Sequence, residues 1–96
     1  MMVRFTAEAT TRLRSIHAYI ARDSVSQADA MIDRITRRAM ALAAFPRSGR
    51  AVPEYALETL REVPESPYRI IYRIEPDALQ IVTVMHGRQL LPDDLL

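Results

Sequence analysis

The sequence contains no cysteine and no lysine, and only two glycines among its 96 residues. Without cysteine, disulfides and thiolate metal sites are excluded, and two histidines far apart in sequence do not make a zinc set; no metal or cofactor is expected. Without lysine, all 13 basic residues are arginine. A genome rich in G and C produces that usage, and it also suits bidentate contacts to carboxylate or phosphate. No apolar run approaches the roughly 20 residues of a membrane span, and Met1-Met2-Val3-Arg4 lacks the apolar core of a signal peptide. A cytoplasmic location with no membrane partner is therefore expected. The net charge of +1 lacks the basic excess of a strong nonspecific nucleic-acid binder, which confines any nucleic-acid contact to a local patch.

What is present is globular material. A hydrophobic share of 49% against 26% charged residues supports a folded core, and the length allows one such core and not two. Residues 1–96 are therefore expected to form a single domain. The chain is organised around Leu60 to Arg88, which carries three strand-like runs in succession. Tyr68, Ile70, Tyr72 and Ile74 alternate with Arg69, Ile71 and Arg73, the period of a half-buried strand. Glu75-Pro76-Asp77 is a proline-fixed turn, and Ala78 to His86 resumes as a further strand, making an antiparallel hairpin. Upstream, Leu60 to Val63 is a shorter run, separated from Tyr68 by Pro64 and Pro67.

Met2 to Phe5 also alternates, as a short first strand. Thr6 then offers an N-cap, with Glu8 in the first turn of a helix over Ala7 to Arg22 whose apolar stripe is Ala9, Leu13, Ile16 and Ile20. Ser24 and Gln27 form a capping box for a second helix. Its stripe is Ala28, Met31 or Ile32, Ile35, Ala39 and Leu42, and it ends before Phe45-Pro46. Phe45 to Thr59 reads as a long loop, a length that is often functional. These elements give an α+β domain of order βααβββ, an antiparallel helix hairpin packed on a small, mainly antiparallel sheet.

Several short patterns fall in a fixed order: Phe5-Thr6-x-x-Ala9, Leu13-x-x-Ile16-x-x-Tyr19-Ile20, Pro46-x-x-Gly49-Arg50-x-Val52-Pro53-Glu54, Leu60-Arg61-Glu62, Tyr68-Arg69-Ile70-Ile71-Tyr72-Arg73 and His86-Gly87-Arg88. In this order and spacing the chain resembles the ParE/RelE superfamily of type II toxin-antitoxin toxins, across nearly its whole length. The resemblance implies the βααβββ fold, a cognate antitoxin that wraps the toxin, and one of two targets. ParE-like members poison DNA gyrase; RelE-like members cleave mRNA on the ribosome. A third class is a degenerate member that only binds its antitoxin.

Metal-independent RNA cleavage needs a base, a cation for the phosphorane and an acid. Glu54, Arg69 and His86 have those residue types, with Arg61, Arg73 and Arg88 as further phosphate ligands. The plain reading competes: Glu54 caps a turn, Arg69 and Arg73 are a solvated strand face pairing with Glu62 and Glu75, and His86 is structural. The missing lysines, the low net charge and the Asp93-Asp94-Leu95-Leu96 ending favour the ParE-like branch, probed through binding by Arg61, Arg69, Arg73, His86 and Arg88. A ribbon-helix-helix, ParD-like antitoxin is the expected partner and gyrase the expected target, with ribosome and mRNA the alternative. Leu90, Leu91, Leu95 and Leu96, together with the outer helix faces, are the expected antitoxin surface, being apolar beyond what a small core can bury.

Overall fold

The computed structural model describes residues 1–91. Its elements are β1 (Met2–Phe5), α1 (Ala7–Ala21), α2 (Val25–Ala41), a 3₁₀ turn (Pro46–Ser48), β2 (Arg50–Ala51), β3 (Leu60–Glu65), β4 (Tyr68–Ile74) and β5 (Ala78–His86). The five strands form one sheet in the order β1-β5-β4-β3-β2. All neighbours are antiparallel except β1, which runs parallel to β5 with Met2 to Phe5 set against Ala78 to Ile81. The helix hairpin covers one face. Two helices on a five-stranded mixed sheet are the expected α+β architecture, extended by a two-residue strand inside the segment expected to be loop.

The helix starts follow the sequence signals. Thr6 Oγ1 accepts the Ala9 N–H at 3.0 Å and donates to the Val82 carbonyl at 2.7 Å, so one hydroxyl caps α1 and ties it to β5. Ser24 Oγ accepts the Gln27 N–H at 3.2 Å. His17 of α1 meets Asp29 of α2 at 2.7 Å, bridging the hairpin. The buried stripe of α2 is Ala28, Met31, Ile35 and Ala39, with Leu42 at its end. With Ala9 and Ile16 of α1, the larger members of that stripe pack on Val63, Ile70, Tyr72, Leu79, Ile81 and Val84 of the sheet.

Two expectations need correction. The central strand is not half-buried: Ile71 is as inaccessible as Ile70, and Arg69 is buried. The opposite sheet face carries its own cluster, in which Ile71, Leu60, Val82 and Met85 are covered by Val52 and Leu91, with Tyr55 packed against them. Strand β3 also does not stop at Val63 but runs through Pro64 to Glu65. Its outer neighbour β2 pairs only at Arg61 and Glu62, so at Pro64 the outer edge is open and a missing N–H removes no ladder bond. Between the pairs Ile71/Thr83 and Tyr72/Ile81, β5 holds one extra residue, Val82. This bulge turns Val82 toward the second cluster and keeps Ile81 and Val84 under the helices. No helix among the described residues is long and apolar enough to cross a membrane.

Candidate functional site

The site is built on the sheet face away from the helices, where the odd positions of β4 project. Arg69 is the hub. Its Nη1 donates to Glu62 Oε1 at 2.6 Å, and its Nη2 bonds Glu54 Oε2 and, at 2.7 Å, the Gln89 carbonyl. The second oxygen of Glu62 accepts from Arg50 Nε and Nη2 at 2.9 and 2.8 Å. Glu54 Oε2 also accepts the Leu91 N–H at 3.1 Å. Two guanidinium groups and two carboxylates balance in charge, which is what lets Glu62 and Arg69 lie so deep in the fold. Arg69 Nε is buried and has no hydrogen-bond partner among the described residues.

The electrostatics follow from these contacts. The Arg69 hydrogen bond holds the Glu54 carboxyl well below the usual range, to about 2; burial opposes the shift and the Leu91 N–H assists it. The same bond, with support from Glu62, pushes the Arg69 guanidinium up against the effect of burial. Glu54 is thus a fixed carboxylate with Oε2 committed to two donors.

A second constellation fixes the 45–50 segment. The Tyr72 hydroxyl donates to the Pro46 carbonyl at 2.6 Å and accepts the Gly49 N–H at 2.9 Å. Burial raises this phenol's pKa. A Cβ on Gly49 would sit 2.5 Å from the Tyr72 hydroxyl and 2.6 Å from the Glu62 carbonyl oxygen. Gly49 has an ordinary extended backbone at φ −77°, so the Pro46-x-x-Gly49 pattern encodes space and not a special dihedral. Arg61 extends the same device: its guanidinium bonds the Gly49 carbonyl at 2.8 Å and the carbonyl and carboxylate of Glu58 at 2.9 and 3.0 Å.

The expected target residues therefore separate. Arg61 and Arg69 are consumed by internal contacts, with side chains only 13% and 10% exposed. Arg73 lies on the Arg69 face and is partly exposed. Arg88 is exposed and shares a cleft of about 370 Å³ with Arg50, Arg69, Glu54 and Leu90. His86 lies elsewhere. It pairs with Tyr68, edge to face at 6.0 Å, and lines a separate cleft with Arg12, Ser15 and Tyr19 of α1. Its Nδ1 accepts the Arg88 N–H at 3.2 Å, which places the proton of the neutral ring on Nε2. His86 thus lies on the helix side of the sheet and Arg69 on the other, with no direct bond between them; the two clefts meet at Gln89, whose side-chain oxygen accepts the His86 N–H at 3.0 Å while its carbonyl accepts Arg69.

The leucines divide as well. Leu90 is 81% exposed, whereas Leu91 is buried in the second cluster and is not free surface. Leu95 and Leu96 lie outside the described residues. Sequence reasoning overlooked Arg50 and gave Glu62 only a minor role. The Leu60-Arg61-Glu62 run held the signal, since alternation puts Glu62 on the face of Leu60's opposite neighbour once the strand is paired, where Arg69 projects.

The family model described as ParE toxin of type II toxin-antitoxin system, parDE, matches residues 3–91. The protein "Putative toxin Y4kP" of Sinorhizobium fredii (strain NBRC 101917 / NGR234) is 39% identical over 95 residues, spanning 97% of this chain and 95% of its own length. Among solved structures, the chromosomal ParDE toxin-antitoxin system from P. aeruginosa superposes with a TM-score of 0.75 at 18% identity, covering 90% of this chain and 95% of the other. The toxin-antitoxin complex RelBE2 from Mycobacterium tuberculosis gives a TM-score of 0.64 at 24% identity, covering 88% and 95%. The fold is shared with both, and the match over residues 3–91 together with the 39% identical relative establishes that this chain belongs to the ParE toxin family of type II toxin-antitoxin systems.

Proposed function

We propose that this toxin acts on DNA gyrase by binding, without proton transfer of its own, and that a ribbon-helix-helix, ParD-like antitoxin neutralises it. The observation that carries the reading is the division of acid-base groups across the sheet. Glu54, the candidate base, is an ion-paired carboxylate held to about 2, and His86 lines a different cleft. General acid-base catalysis needs both groups within hydrogen-bond reach of one substrate. A binding toxin needs only an accessible patch, and Arg88, Arg50 and Leu90 supply cations beside an apolar anchor. The P. aeruginosa ParDE system, a toxin-antitoxin pair of this fold, supports an antitoxin partner.

The test is a supercoiling assay with purified gyrase and the purified chain, alongside primer extension on mRNA from cells expressing it. Inhibited supercoiling with intact mRNA is expected, and His86→Gln should leave the effect within a few-fold of wild type. Codon-positioned mRNA cuts that vanish in His86→Gln, with supercoiling unaffected by the wild-type chain, would overturn the proposal in favour of a ribosome-dependent endonuclease.

A further inference from the structure

A cleft of about 720 Å³ lies between the segment after α2 and the β4–β5 turn, roomier than those around His86 and Arg69. Ala44 to Ser48 form one wall and Ile74 to Pro76 the other, with Met1 also lining it. Phe45 stands 73% exposed and Met1 54%. The phenyl ring is not on a loose loop. The Phe45 N–H bonds the Leu42 carbonyl at 3.1 Å, and its carbonyl accepts the Ser48 N–H at 3.0 Å. A large apolar side chain held out into water on a bonded backbone beside an apolar hollow is available to a partner surface.

The patch is complementary to itself. It offers a knob, Phe45, at the rim of a hollow that the ring lines together with Ala44, Pro46, Ile74 and Pro76. It also carries opposite charges on its two walls, Arg47 on one and Glu75 on the other. Glu75 makes no ion pair among the described residues, and Arg47 reaches only Glu58, at 3.6 Å, with both side chains mostly exposed. Such an arrangement suits a two-fold contact, in which each surface meets its own copy and every pairing occurs twice.

We infer that this groove is the interface of a toxin homodimer, with the Phe45 ring of each copy seated in the other's hollow and Arg47 of each facing Glu75 of the other. The contact is centred on one small cleft, so the dimer is expected to be weak and concentration-dependent. The groove shares no lining residue with the Arg50–Arg88 cleft.

Sedimentation equilibrium of the purified full chain from micromolar to millimolar concentration should show the mass rising from one chain toward two. Phe45→Glu should weaken the association at least tenfold, consistent with loss of a central anchor. At dilutions where both chains are monomeric its melting temperature should be unchanged, because the ring is exposed in the monomer. Arg47→Glu and Glu75→Arg should each weaken the dimer, and the double exchange should restore it. Because the chain has no cysteine, crosslinking gives a second readout. A thiol crosslinker should join Ala44→Cys chains but not Val25→Cys chains, whose label sits a 17-residue helix away, ~25 Å. A chain that stays monomeric throughout overturns the inference. So does a dimer indifferent to Phe45→Glu, or equal crosslinking at both sites.

Discussion

Glu54→Gln tests the ion-paired hub with a sign that pH can reveal. The substitution keeps the size of the side chain and removes its charge. In the folded chain the Glu54 carboxyl lies at about 2 against an ordinary 4.5. A depressed carboxylate contributes stability that is complete above its unfolded value and is lost as pH falls through its folded value. The window here runs from about pH 5 down to about pH 2. At about 1.4 kcal/mol for each tenfold difference the full linkage is roughly 3 kcal/mol. A side chain that keeps 21% of its surface in solvent is partly screened, which brings the expected contribution to about 1–2 kcal/mol. Urea unfolding of wild type and Glu54→Gln across a pH series should show that gap at neutral pH and its closure near the acid end. Amide exchange at Leu91, whose N–H bonds Glu54, should accelerate in the variant at neutral pH. A gap independent of pH, or none at pH 7, would refute the reasoning.

Gly49→Ala should cost about 2–3 kcal/mol, because the new methyl meets the Tyr72 hydroxyl at 2.5 Å inside a bonded pair; a calorimetric melt indistinguishable from wild type would sink the steric account. Arg69→Met should cost about 3 kcal/mol in urea unfolding, because Glu54 loses its guanidinium and Glu62 keeps only Arg50; a loss under about 1 kcal/mol would show that the hub does not hold the second cluster. Arg88→Ala, at an exposed position, should change stability by less than about 0.5 kcal/mol while abolishing toxicity, and full toxicity in a growth assay would remove Arg88 from the target surface. Leu91→Ala should lose about 2–3 kcal/mol and Leu90→Ala almost nothing, given exposures of 7% and 81%; equal denaturation midpoints would show that the tail does not pack as described.

The fold was legible because its signals are local. Thr6 and Ser24 cap the helices that their positions announce, and the Ala28, Met31, Ile35, Ala39 stripe is buried as its spacing predicts. The second sheet face was not legible. Period-two alternation marks Ile71 and Arg69 as sharing a side but cannot say that Val52 and Leu91, 19 residues before and 20 after Ile71 in sequence, come back to cover it. For the same reason only part of the Arg69 hub was legible: its pairing with Glu62 was the plain reading of the strand face, but Glu54 and the Gln89 carbonyl arrive from a loop and the tail. Residue type alone grouped His86 with Glu54 and Arg69. Its place opposite Tyr68 at the far end of β5 puts it on the helix side, and this depends on the bulge at Val82, for which the run Leu79 to Met85 offers no sign.

The hub changes how mutations at the motif arginines must be read. Arg69 bonds the Gln89 carbonyl, and Glu54 bonds the Leu91 N–H, so two contacts clamp the segment that presents Arg88 and Leu90. An Arg69 variant that lost toxicity would therefore not identify Arg69 as a target contact, since releasing the clamp also frees the patch beside it. A side chain only 10% exposed has little surface left to offer a partner, and its charge is already matched by two carboxylates. Arg50 differs: its side chain is 69% exposed while it holds Glu62, so it can meet a partner's carboxylate or phosphate without leaving the network. The ordering of effects follows from this geometry. Under the proposed binding mode, substitutions at Arg88 should act on binding alone, at Arg50 on binding and weakly on stability, and at Arg69 on stability first, with binding lost as its consequence.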